Sequence, residues 1–556
     1  MEIEARNTIK VSRNNPYVLL VTAFATLGGL MFGYDQGVVS GILTMQNFGY
    51  HFPRIYLDAG YKGWFVSTFL LCAWAGSLLN SVVADYYGRK RSIMVACVIF
   101  VIGVIFQTIA ASDSMIFAGR GVAGLAVGML TMVVPMYIAE IAPAESRGGL
   151  VVLQQLSITF GILISYWIDY GCNYIGGTRC APDIPYSGGT SSTPTFDPRT
   201  DVGPEGCTGQ TAAAWRVPIA IQMSFAIILG ISMIFLPNSP RWLVAKGRDS
   251  DALGVLSKVR RLPLDDEELK EEYCKIKAEV LFEKASLPEH LKSAGPSARF
   301  FGQYWYILTT KSHFKRVFIG SAVMFFQQFM GCNAMIYYAP TIFGELGLSG
   351  NTTSLLATGV YGIVNFLSTI PAVFLIDRLG RRVLLMAGAL GDIVSLVVVG
   401  AVIAKYGSLL SDHPSAGWAG IAFIYIYDIN FSYSWAPIGW VLPSEIFSLG
   451  IRSKAIAITT SSTWMNNFII GLVSPKMIQN ITYGTYFIFA GFSLIALVFT
   501  YFFIPETRNR SLEEMDIVFG DLSVSENKHN LAAVAGTIDE SLTDQMILKQ
   551  ATIHVE

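Results

Sequence analysis

The chain has 556 residues, of which 52% are hydrophobic and only 14% charged, with a formal net charge of −1 and a mean hydropathy of +0.48. Soluble domains carry roughly a quarter charged residues, so this composition excludes a soluble protein and points to one embedded in a bilayer. Thirty-nine basic against forty acidic residues leave no basic surplus for nucleic acid or an anionic surface.

Residues 1–15 are polar and charged and read as a cytoplasmic tail. The apolar run 16–42 exceeds the roughly 7–15 residues of a signal-peptide core, so it reads as a retained first span. Runs near the roughly 20 residues that a bilayer demands of a helix recur. They fall at 63–84, 92–112, 116–139, 149–169 and 215–236, then at 315–339, 353–376, 383–404, 417–443, 454–475 and 484–504. The pattern predicts an all-α membrane protein with twelve transmembrane helices in two six-helix halves, 16–236 and 315–504. The segment 237–314 reads as a partly helical cytoplasmic linker, with Glu271 and Lys275 at the i,i+4 spacing that suits a solvated helix. Residues 505–556 read as a second cytoplasmic tail.

Orientation follows from basic residues in short loops. With the N-terminus inside, Arg89, Lys90, Arg91, Arg147, Arg378, Arg381, Arg382, Arg452 and Lys454 all fall on the cytoplasmic side. Sequons at Asn351 and Asn480 then lie in outer loops and are candidate glycosylation sites. The predicted outer loop between spans five and six is bracketed by Cys172, Cys180 and Cys207. Two of the three can form a disulfide in an oxidising exterior; Cys180 with Cys207 is the favoured pair, although sequence alone leaves the pairing open. The six histidines fall in loops or tails, and neither a metal motif nor a nucleophile motif joins them. No enzyme and no cofactor is implied.

The halves repeat each other. ADYYGRKR after the second span matches IDRLGRR after the eighth, and Glu140 precedes Arg147 by seven residues as Glu445 precedes Arg452. Asp85, Arg89, Glu140 and Arg147, with Asp377, Arg381, Glu445 and Arg452, are therefore expected to form an inner latch of ion pairs that break when the inner gate opens. A duplicated six-span unit is a transporter plan in which the halves rock about a midplane site.

The motifs DYYGRKR, PMYIAEIAPAESRG, PNSPRWLVAKGR, QQFMGCNAMIYY, DRLGRR and PETRNRSLEE occur in that order. With them the chain resembles the sugar porter branch of the major facilitator superfamily, over nearly all of residues 16–515. It looks most like fungal monosaccharide (hexose or pentose) transporters. A pyranose hydroxyl both donates and accepts, as a carboxamide does, and an aromatic ring packs on its C–H face. Gln155, Gln327, Gln328, Asn333, Asn365 and Trp440 supply that chemistry and match the family's sugar-contacting positions. Tyr337 and Tyr338 match an outer gate on a broken seventh helix, where Gly331 permits bending, and Trp464 and Asn467 resemble secondary positions. Asn238 stands where the family has glutamate and Tyr86 where it has arginine, which implies a weaker latch in the first half. Ser432 occupies a position acidic in animal facilitative carriers, a lean toward symport.

Asp35 interrupts the first span, where an ionisable group costs at least about 2.5 kcal/mol unless it has a partner or a task. Arg120, the one basic residue within 116–139, is its expected partner, and the resemblance implies that the pair couples transport to protons. The reading is a monosaccharide carrier of the plasma membrane (glucose, xylose or a related sugar), working by alternating access, functional as a monomer, with both termini cytoplasmic. An uncoupled carrier and a non-transporting sugar sensor are the alternatives. Asp392 and Asp428 have no place in this scheme, although Asp428 lies one helical turn before Ser432 and is a candidate for modulating substrate or proton handling.

Overall fold

The computed structural model describes residues 16–143, 147–189, 194–285, 291, 295–348, 351–410, 412–447, 451–508, 515 and 518–519. The side chains of Arg147, Asn351 and Asp377, singled out above, lie outside the described set. Twelve spanning helices form two halves of six. The first half holds α1 (Pro16–Ile42), α2 (Ala59–Tyr87), α3 (Arg89–Thr108), α4 (Asp113–Ile141), α5 (Arg147–Cys172) and α6 (Ala213–Phe235). The second holds α7 (Lys311–Glu345), α8 (Asn351–Thr369 and Ala372–Leu379), α9 (Arg381–Tyr406), α10 (Pro414–Tyr433 and Trp435–Ile446), α11 (Arg452–Ile481) and α12 (Tyr483–Phe503). Eight of the twelve are long and apolar enough to cross a bilayer on composition alone. The other four, α5, α8, α10 and α11, carry amides and hydroxyls or are broken midway, as helices lining a polar interior must be.

Small residues let backbones approach where no hydrophobic force drives helices together in lipid. On α1, Gly29, Gly33, Gly37 and Gly41 recur every fourth residue and face α5. A Cβ on Gly33 would stand 1.9 Å from the Ile158 carbonyl oxygen, so this contact admits glycine alone. The halves meet chiefly along α2 with α11 and α5 with α8. Trp74 Nε1 donates to Ser461 Oγ at 2.7 Å, and the rings of Phe160 and Phe366 lie 5.4 Å apart.

The repeat extends to backbone angles. Gly88 (φ 91°, ψ 162°) and Gly380 (φ 92°, ψ 160°) start α3 and α9 in the same left-handed turn, which favours glycine. Behind each, a basic side chain ties down the end of its half's last helix. Lys90 Nζ donates to the carbonyls of Ile234 and Leu236, and Arg382 Nη2 to that of Tyr501.

Several features depart from uninterrupted spans. The eighth and tenth spans are each two helices, the tenth parting at Ser434 (φ −117°, ψ −85°). Two short helices, Gln46–His51 and Pro53–Leu57, follow α1. The 237–314 segment contains the helices Pro240–Ala245, Asp249–Arg260, Glu267–Ala285 and Pro296–Thr309, and Glu271 pairs with Lys275 at 2.6 Å. The first three pack round Leu243, Leu256, Leu269 and Tyr273.

The end of the molecule opposite these linker helices carries the Cys-bracketed loop. Cys180 and Cys207 are joined, with Cα atoms 4.6 Å apart, whereas Cys172 is free. Gln46 accepts from Cys180 N at 2.8 Å, and Asn47 bonds Gln210 and Trp215, so the loop is seated on the short helix Gln46–His51 that follows α1. Closing a 27-residue loop stabilises by about 2–4 kcal/mol. Cys207→Ser is therefore expected to make the loop a preferred site of limited proteolysis; unchanged cleavage would show that the polar contacts alone hold it.

Candidate functional site

Between the halves lies one cavity lined by α1, α5, α7, α8, α10 and α11. All six sugar-contacting candidates line it: Gln155, Gln327, Gln328, Asn333, Asn365 and Trp440. Trp464 and Asn467 do so as well. No charged side chain is among the lining residues.

Two helix breaks shape the cavity. In α7, Gly331 (φ 97°) ends one helical segment and starts the next, and a Cβ there would press within 2.6 Å of the Phe489 ring. Tyr427 OH donates to the Met330 carbonyl at 3.0 Å, which satisfies backbone freed by the break. Asn333 Nδ2 donates to Gln328 Oε1 at 2.5 Å, and Gln328 Nε2 reaches Gln327 Oε1 at 3.4 Å. Gln327 Nε2 in turn donates to the carbonyls of Trp435 (2.9 Å) and Ala436 (3.1 Å), just past the break in α10. Gly439 permits this, because a Cβ would stand 2.5 Å from that nitrogen. The amides thus form a chain from one broken helix to the other. Gln155 has no such tie among the described residues and faces the cavity from the opposite half.

Above this chain, toward the disulfide-bearing loop, Tyr337 and Tyr338 are buried. Tyr337 OH donates to Asn467 Oδ1 and accepts from Gln36 Nε2, both at 3.3 Å, which joins α1, α7 and α11. Tyr338 OH donates to the Gly471 carbonyl at 2.7 Å. Gln36, adjacent to Asp35, lines the cavity and escaped the sequence reading, as did Phe32, Thr159 and Phe431. The amide argument applied to the other halves' helices also fits Gln36, whereas the apolar residues carry no signal distinct from packing.

Asp35 and Arg120 meet in a buried pair, with Arg120 Nη1 2.8 Å from Oδ2 and 3.0 Å from Oδ1. The guanidinium also lies over the Phe69 ring, 4.4 Å from its centroid, a favourable cation–π placement. Arg120 Nε has no hydrogen-bond partner among the described residues. One residue along, Gln36 belongs to both the cavity and the Tyr337 bridge, so the ion pair adjoins the contact that covers the cavity.

At the linker end the matched ions pair within each half. Arg89 Nη2 lies 2.9 Å from Glu140 and Arg381 Nη2 2.6 Å from Glu445. Asp85 contacts Arg89 at 3.5 Å and also takes Lys454 of α11 at 3.1 Å. This last is the ion pair that crosses between halves among the described residues, and Lys454 entered the sequence reading only as a topology signal. The halves also differ here: Glu506 accepts from the backbone N–H groups of Arg381 (3.0 Å) and Arg382 (3.1 Å), while Gly88 packs against the Trp242 ring. Asn480 is exposed on the last turn of α11.

Two repeated six-helix halves enclosing an uncharged, amide-lined cavity define a membrane carrier of the major facilitator type. The chain belongs to the Sugar (and other) transporter family, which it matches over residues 21–519. It is 33% identical to a probable glucose transporter, rco-3, of Neurospora crassa, over 92% of this chain and 80% of that protein. It is 32% identical to a quinate permease of Neurospora africana, over 91% of this chain and 89% of the relative. Among solved structures it resembles XylE, a proton:xylose symporter (TM-score 0.69, 28% identity, 91% of this chain and 99% of that one). An inward-open form of the xylose transporter XylE from E. coli also matches (TM-score 0.66, 26% identity, 90% and 100%).

Proposed function

We propose that the protein carries a monosaccharide such as glucose or xylose across the plasma membrane by alternating access, with a proton moving in the same direction. The observation that carries the reading is the cavity lining, which offers amides and tryptophan but no charge. Quinate is the second reading, because relatives are named as its permeases. Its carboxylate would enter a cavity without a cation, at a desolvation cost that a neutral sugar avoids. Gln155, Gln327, Gln328, Asn333, Asn365 and Trp440 bind the sugar, Tyr337 and Tyr338 cover it, and Asp35 with Arg120 handles the proton. The basic loops support a cytoplasmic position for the linker helices and both termini, with Asn351 and Asn480 outside. The carrier works as a monomer in the lipid bilayer, with 16–236 and 315–504 as its moving halves and 237–314 as the linker.

Uptake of labelled glucose, xylose and quinate, each alone, into cells lacking their own carriers tests this, with proton flux recorded alongside. Accumulated sugar with proton entry supports the reading. Equilibration without proton flux makes it a facilitator, and binding without uptake makes it a sensor.

The latch gives a separate expectation. Lys454→Ala removes the cross-half pair with Asp85, which can stabilise only states closed at the cytoplasmic end and so shifts populations by its differential energy. Cysteines placed in the inner vestibule should label faster in this variant. Equal rates would mean that this pair, whose carboxylate is half-exposed, contributes nothing, as many surface pairs do.

A further inference from the structure

We propose that Asp428 is a second proton-binding residue of this carrier, in the half opposite Asp35, and that its proton sets the affinity of the cavity for sugar through Asn365. The inference rests on the sugar reading of the cavity.

Asp428 on α10 and Asp392 on α9 are both fully buried, at 0% exposure. Neither forms an ion pair among the described residues. The groups facing Asp428 from neighbouring elements are Tyr361 of α8, Asp392 of α9, Cys332 of α7 and Tyr166 of α5, with Tyr427 beside it on α10. None is cationic. The helix α10 has no basic residue, and the nearest on α9, Arg382 and Lys405, are 10 and 13 positions from Asp392. That is about 15 Å or more along the axis. Among the described residues, both oxygens of Asp392 lack a hydrogen-bond partner. Two ionised carboxylates without a cation are too costly in a membrane interior, so the pair retains at least one proton.

Asn365 links this pair to the cavity. Its Nδ2 donates to Asp428 Oδ1 at 2.8 Å and to Ser432 Oγ at 3.2 Å, while its Oδ1 is buried with no partner among the described residues. An ionised Asp428 holds the amide nitrogen by a charge-assisted bond and leaves only the carbonyl to face the cavity. A protonated Asp428 holds it less strongly, so the amide can turn and donate to a sugar oxygen. Sugar and proton at Asp428 therefore favour each other, as linked ligands must. The sign is tighter binding at low pH and weaker binding as pH rises.

The test uses purified full-length Asp35→Asn, which removes the first proton site, with xylose and glucose binding read by tryptophan fluorescence across pH. Affinity should fall about fivefold or more as pH rises from about 5 to about 8. Adding Asp428→Asn, which keeps a hydrogen-bonding amide but cannot titrate, should flatten the profile. A flat profile in Asp35→Asn alone overturns the proposal, even if the double variant fails to fold. Failure of both sugars to bind at any pH sinks the sugar reading instead. Infrared spectra then decide independently of substrate: wild type should show a protonated carboxylic-acid carbonyl band that Asp428→Asn diminishes, and an unchanged band overturns the second site.

Discussion

Asp35→Asn is expected to keep exchanging sugar across the membrane while losing all accumulation. One proton driven by a potential of 100 mV is worth about 2.3 kcal/mol, enough for about a fiftyfold sugar gradient, and the variant should hold inside and outside concentrations equal. The reason lies in the pair's position. Asp35 and Arg120 are 1% and 2% exposed, and Gln36 next to the acid bonds Tyr337 over the cavity. In the proposed coupling, protonation of Asp35 would release Arg120 and let α1 shift against α7, and return of the carboxylate would reset the pair. Asparagine mimics the protonated acid permanently, so sugar still crosses but no proton is carried by this pair. It also leaves a buried guanidinium without its counter-ion, and breaking such pairs costs about 3–5 kcal/mol. Rates must accordingly be normalised to folded protein, and thermal stability should fall. Accumulation that survives the substitution would reduce the pair to a structural tie.

The fold was legible in this sequence because a bilayer allows few answers: apolar runs of span length, basic loops and a repeated Gly-Arg turn leave little freedom. The helix breaks were only half legible. Gly331 signals the break in α7, but the break in α10 falls at Ser434, a residue unremarkable in a chain, and rests on contacts such as Trp435 Nε1 to the Leu385 carbonyl at 3.0 Å. The amide set could be read because polar side chains in a span need a reason. Phe32, Ile158 and Phe431 could not, since an apolar residue facing a cavity looks like one facing lipid. The latch residues were legible as charges but not as partners. Matched spacing gave the latch ions without their partners: Arg89 and Arg381 each bind within their own half, and among the described residues Lys454, which has no counterpart in the repeat, pairs across to Asp85.

Gln327→Ala and Gln155→Ala should separate sugar binding from the mechanics of the cavity. Each removes an amide that lines the cavity, and sugar hydroxyls left without a partner cost about 1–3 kcal/mol, so both should raise the apparent KM by roughly 5–150-fold. They differ in what else they hold. Gln155 makes no hydrogen bond to the protein among the described residues, and its loss should leave maximal rate and stability nearly unchanged. Gln327 also bridges α7 to α10 through the carbonyls of Trp435 and Ala436 and accepts from Gln328. Its removal unties the two broken helices, which must move together as the cavity closes on sugar. Gln327→Ala should therefore lower the maximal rate as well as the affinity, and should lower the unfolding temperature where Gln155→Ala does not. The measurement is initial uptake of labelled glucose and xylose against concentration, at matched surface expression, with quinate as the comparison. Unchanged affinity for all three substrates in Gln327→Ala would remove this residue from the binding site, and an unchanged maximal rate would mean that the bridge between α7 and α10 carries no load during transport.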